Sequence, residues 1–168
     1  AVARKAQSLL DGRQYDQALT VLEENIQVYG PSVEICREQG QVYEAQQNWP
    51  LAYAAFSKVI ELEPTPENYY GRAHVMASAG YYDQAQSDLE KAQGVWSKKR
   101  ISERNLSLQS KLEELKARIA LQKGNYFEAH QLYQKILQKT EISPQTYLNT
   151  GLAAYHVGEY HLAIASFQ

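Results

Sequence analysis

Small and bulky apolar residues recur along this chain at helical spacing. Ala18, Ala52, Ala85, Ala129 and Ala163 are each followed four residues later by a large side chain: Leu22, Phe56, Leu89, Tyr133 and Phe167. A separation of four puts both members of each pair on one helical face. Each alanine closes a short phrase made of a turn, an aromatic residue and then the small residue. The copies are Gly12-Arg13-Gln14-Tyr15-Asp16-Gln17-Ala18, Asn48-Trp49-Pro50-Leu51-Ala52, Gly80-Tyr81-Tyr82-Asp83-Gln84-Ala85, Gly124-Asn125-Tyr126-Phe127-Glu128-Ala129 and Gly158-Glu159-Tyr160-His161-Leu162-Ala163. A second series of small residues stands upstream of these phrases at Ala6, Gly40, Ala73, Ala117 and Gly151. The pattern predicts helical hairpins: a first helix whose small residue permits close backbone approach, and a second whose bulky residues fill the space.

The recurrent alanines are 34, 33, 44 and 34 residues apart, and a period of roughly 34 residues is that of one family of helical repeats. On the phrase, the small residues and the period together, the chain resembles the tetratricopeptide repeat (TPR) family over nearly its whole length. The resemblance implies an all-α fold, a right-handed superhelical solenoid of antiparallel hairpins with about four complete repeats and a truncated fifth. The repeats fall at approximately 1–32, 33–65, 66–99, 110–143 and 144–168, with an irregular segment at 97–109. Pro64 and Pro144 mark joints between hairpins, Pro31 does so approximately, and Pro50 sits in the opening turn of a helix, where its missing N–H breaks no bond. The start at Ala1 and the end at Gln168, both inside helical patterns, read as a piece cut from a longer protein whose ends native neighbours cover.

The 44-residue interval holds about ten residues beyond the family period. The extra material lies between Ala92 and Ala117. Leu108, Leu112, Leu115 and Ile119 then recur at spacings of four, three and four, predicting one amphipathic helix, lengthened relative to its counterparts and ending near Gln122. Lys98, Lys99 and Arg100 stand where cations suit a helix C-terminus, and three cations alone are a weak footprint for phosphate.

Composition narrows the function classes. With 17 Lys and Arg against 19 Asp and Glu, the net charge of −2 gives no reason to expect nucleic acid. No apolar run approaches the roughly 18 residues of a membrane span. The single cysteine, Cys36, cannot form an intrachain disulfide and falls where the family packs a large side chain, so a buried, inert thiol is expected. Cytoplasmic and periplasmic placement are both compatible with the sequence. His156 and His161 are five apart, off a common helical face, and no second cysteine offers a zinc pattern. The glycines are isolated at turns rather than gathered into a phosphate loop. Neither enzyme nor cofactor nor metal is expected.

What remains is the concave face that the resemblance assigns to the first helices. It would present Glu34, Arg37, Gln41 and Glu44, then Glu67, Tyr70 and His74, then Lys111, Glu114 and Arg118, and finally Tyr155 and His156. Both signs of charge mixed with aromatics suit an extended or helical peptide. The carboxylate clamp by which some family members grip chaperone tails does not fit: Ala3 and Gln7, Glu67 and Gly71 stand where it needs Lys and Asn, Lys and Arg. A clamp shifted by one repeat fails too, since Gly71 replaces the Asn that would follow Arg37 and Gln41. The sequence therefore points to a scaffold that binds a protein or peptide segment in this groove. One alternative is a structural spacer or an oligomerisation element that self-associates through its ends. Another is a scaffold of an envelope secretion or polysaccharide-export machine, where Tyr and Gln would contact oligosaccharide by stacking and hydrogen bonding.

Overall fold

The computed structural model describes residues 2–98, 106–138 and 142–167. Among the described residues there are ten helices and no strand: α1 (Val2–Asp11), α2 (Tyr15–Tyr29), α3 (Val33–Ala45), α4 (Trp49–Leu62), α5 (Pro66–Ser78), α6 (Tyr82–Lys98), α7 (Leu106–Gln122), α8 (Tyr126–Ile136), α9 (Pro144–His156) and α10 (Tyr160–Phe167). The expected all-α solenoid of hairpins is the architecture observed. The chain divides into two units, Ala1–Trp96 and Ser97–Gln168.

Helix starts follow from local chemistry. Ser32, Asn48, Thr65 and Ser143 each turn a side-chain oxygen onto a backbone N–H three residues on, which satisfies one donor left open by the first turn. Pro50, Pro66 and Pro144 sit in first turns, where no hydrogen bond is lost.

The hairpin turns share one geometry. The residue five before each recurrent alanine has positive φ: Arg13 (56°), Gln47 (57°), Gly80 (86°), Gly124 (80°) and Gly158 (84°). The next residue donates its N–H to a carbonyl five residues back, as in Asn48 to Tyr43 (2.8 Å) and Tyr81 to Met76 (2.9 Å). This is the left-handed helix stop that glycine favours for want of a Cβ. In the first two hairpins Arg13 and Gln47 adopt it instead, so Gly12 is not the counterpart of Gly80. The register counts back from the alanine, and the turn glycine of the first phrase lies one place early.

In the first unit, Ala6, Ala18, Leu22, Ile35 and Val42 form one core cluster. Above it, the ring of Phe56 lies between α3 and α5. A Cβ added at Gly40 would fall 2.6 Å from this ring, and one at Gly71 would fall 2.7 Å from its other edge. The aromatic ring therefore fits only because both facing helices are bare there. Cys36 is buried and free, and burial pushes its thiol above the ordinary value, against a smaller opposing effect of Lys58.

In the second unit, Ala117, Ala120, Leu121, Ala129, Tyr133, Ile136 and Ala153 make the core. Leu108, Leu112, Leu115 and Ile119 are all buried along α7, which runs 17 residues against 13 for α3, α5 and α9. The lengthened first helix is as expected. Lys98 lies in the last turn of α6, while Lys99 and Arg100 lie outside the described residues. Phe167 packs over Gly151, which has no room for a Cβ, and remains half exposed.

Candidate functional site

The candidate face is built from the odd-numbered helices within each unit. Where α3 and α5 run side by side, the residue three before the small residue of one helix meets the residue five before the small residue of the next. Arg37 donates from Nη2 to Asn68 Oδ1 at 2.9 Å, and Asn68, buried, donates from Nδ2 to the Glu63 carbonyl at 2.7 Å. In the second unit the same rung joins α7 and α9, where the Thr146 hydroxyl donates to Glu114. Between α1 and α3 the corresponding residues are Ala3 and Ile35, both buried. One position in the repeat thus holds an apolar rung, a cation–amide rung or a carboxylate–hydroxyl rung.

A second tie joins α3 and α5. His74 Nδ1 lies 2.8 Å from a Glu44 carboxylate oxygen, with Tyr70 tilted over the His74 ring at 6.1 Å between centroids. In the first unit, then, Arg37, Glu44 and His74 are spent on holding first helices together. Glu34 is exposed, and Gln41 and Glu67 are half-buried.

In the second unit, Lys111 is exposed and Glu114 is committed to Thr146. Arg118 differs: its Nη2 is buried and has no hydrogen-bond partner. Beneath it the buried Tyr133 hydroxyl is pushed up to about 12, chiefly by burial, with Glu114 adding to the effect and Asn149 and Arg118 opposing it. Tyr155 and His156 are gathered elsewhere. His156 stacks on Tyr126 at 3.9 Å with planes 9° apart, and Tyr155 meets both His156 and Tyr160 edge-on. Nine residues separate Thr146 from Tyr155 on α9, about 14 Å of helix at 1.5 Å per residue.

Asn68, Thr146 and Asn149 went unnoticed in the sequence although all three are buried polar residues on first helices. The signal was present in register: each stands at a fixed offset before Ala73 or Gly151, where the preceding hairpin offers a partner. No cluster of metal-binding side chains occurs among the described residues, and no described helix is long and apolar enough to cross a membrane.

Comparison with known proteins adds the context. The family model for the tetratricopeptide repeat matches residues 4–69 and 114–168, well over half of the chain. A search of curated protein sequences finds no match. Among solved structures, PilF of Pseudomonas aeruginosa superposes with a TM-score of 0.81 at 17% identity, over 99% of this chain and 72% of that one. A tetratricopeptide repeat protein from Parabacteroides merdae gives 0.78 at 14% identity, over 98% of this chain and 61% of that one. MamA from Desulfovibrio magneticus RS-1, residues 41 to the end, gives 0.77 at 16% identity, over 99% of this chain and 89% of that one. At these identities the likeness is one of fold.

Proposed function

Because the chain belongs to the tetratricopeptide repeat family, whose members are in general non-enzymatic scaffolds that bind protein partners, we propose that it docks a segment of a partner protein on its first-helix face. Arg118 carries this reading. A buried guanidinium N–H without an acceptor is costly, and native structures seldom leave one so. Turned outward from its half-buried place, the guanidinium can take a carboxylate or backbone carbonyl of a docked segment as its acceptor. On the same helix Lys111 offers a second polar anchor, and within the first unit Gln41, Glu67 and Tyr70 offer polar and aromatic anchors of the kind that fix register. The rungs Arg37–Asn68, Glu44–His74 and Glu114–Thr146 support the same reading indirectly. They tie neighbouring first helices in place before a partner arrives, which lowers the cost of ordering the surface on binding.

The test is a pair of baits, the natural chain and a Tyr70→Ala/Arg118→Ala variant with the same melting behaviour, used side by side in extract of the source organism. The expected result is a protein retained by the first and lost by the second. Equal retention by both baits would overturn the reading. Retention of copies of this chain alone would put self-association in its place, for which Leu148, Leu152, Ile164 and Phe167 on the last hairpin offer exposed apolar surface.

A further inference from the structure

A cleft of about 530 Å³ opens in the first unit, away from the residues just described. It is lined by Trp49, Pro50 and Tyr53 of α4, Met76 of α5, and Tyr81 and Gln84 at the start of α6. Its volume lies within the range of pockets that hold ligands rather than packing defects, roughly 300 to 1,000 Å³.

The second unit differs at the corresponding place. The register position of Trp49 is held there by Tyr126, and that of Ser78 by His156. The His156 ring lies flat on Tyr126 at 3.9 Å and occupies that corner. In the first unit a serine, Ser78, stands at that register position and brings no ring. The turn that shapes the cleft is the shared helix stop through Gly80, so the opening is a property of these side chains and not of an irregular backbone.

The lining defines what can enter. It contains no charged side chain. Arg72 lies 5.1 Å over the Tyr53 ring, but its charge is already answered by Asp88 at 2.6 and 2.8 Å, with Ser57 accepting at 3.0 Å. A charged occupant would lose water here and gain no counter-ion, so the site matches a neutral one. Tyr53 and Tyr81 are 41% and 54% exposed, with Arg72 over one face of the Tyr53 ring. Among the described residues, none donates to or accepts a side-chain hydrogen bond from the Trp49 indole, the two phenols or the Gln84 amide. The cleft thus pairs flat aromatic faces with a rim rich in donors.

We infer that this cleft binds an uncharged, proline-containing extended segment of a partner protein. Proline rings stack on aromatic faces. A polyproline II backbone has no internal hydrogen bonds, and its carbonyls present acceptors to a rim of donors. Such a segment is already extended, so it loses little conformational freedom on docking. The site is separate from the first-helix face, and its test does not depend on that face binding anything.

Trp49 makes the experiment direct. The chain would be titrated with a blocked peptide of about ten prolines, following tryptophan emission. The expected result is a saturable change that is absent in Trp49→Phe, weakened about tenfold or more in Tyr81→Ala, unaffected by salt and unchanged in Arg118→Ala. Circular dichroism melts of the variants, expected to match the natural chain, separate lost binding from lost folding. The proposal is overturned by no saturable change, by equal binding of a Gly-Ser peptide of the same length, or by proline binding that survives Tyr81→Ala. Binding of a neutral oligosaccharide in the same assay without binding of the proline peptide would overturn it as well.

Discussion

Phe56 in the first unit and Tyr133 in the second stand in the same register, four residues after a recurrent alanine, yet different chemistry holds them. The ring of Phe56 lies between Gly40 and Gly71, neither of which has room for a Cβ. At the corresponding places around Tyr133 stand Ala117 and Asn149, both buried. The two bulky side chains differ by one hydroxyl, which in Tyr133 is buried and has no hydrogen-bond partner. Between α2 and α3 the same two positions are Leu22, fully buried, and Glu38, one of whose carboxylate oxygens is buried without a partner. The repeat therefore fixes where a knob and its socket stand, while each joint chooses its own pairing.

This comparison can be broken at each joint. The largest effect is expected at Gly71→Ala, where overpacking against Phe56 should cost about 1 to 3 kcal/mol in denaturant unfolding. Adding Phe56→Leu should recover part of that loss, and an unchanged midpoint for the single variant would mean the ring is not clamped. A smaller change, a gain of about 1 kcal/mol, is expected for Tyr133→Phe, which removes a buried hydroxyl that has no hydrogen-bond partner.

The smallest effect concerns Glu38. Burial, with Glu34 and Asp11 adding to it and Arg37 opposing, raises its carboxyl above the ordinary value. A carboxyl held more tightly protonated in the folded state favours folding fully below its unfolded value. That contribution is lost as the pH rises through the raised folded value. Thermal melts of Glu38→Gln should therefore be slightly higher than those of the natural chain at neutral pH, and the two should converge in acid. A variant that melts lower at neutral pH would show that the charged form is stabilised.

The hairpins were legible in the sequence because their signal is local. An alanine and a bulky residue four apart declare a helix face regardless of what else the chain does, and Leu108, Leu112, Leu115 and Ile119 declared α7 in the same way. The turn was read one residue out in the first phrase because glycine is only a preference at the left-handed position, and Arg13 and Gln47 occupy it without one. The site was less legible, since its chemistry depends on residues about one repeat apart. Arg37 and Glu114 look like groove charges when read singly, and their ties to Asn68 and Thr146 emerge only when adjacent helices are set in register. Gly71 looks like a missing clamp residue until Phe56 is placed against it. The cleft beside Trp49 draws its lining from α4, α5 and the start of α6, a grouping that no single stretch of sequence displays.

The central claim, that partners dock on the first helices, is tested most directly by hydrogen–deuterium exchange on the complex isolated with the natural bait. The account predicts slowed exchange on α5 and α7 around Tyr70, His74 and Arg118, with α2, α4, α8 and α10 unchanged. Protection confined to those second helices, or no difference between free and bound chain, would contradict it.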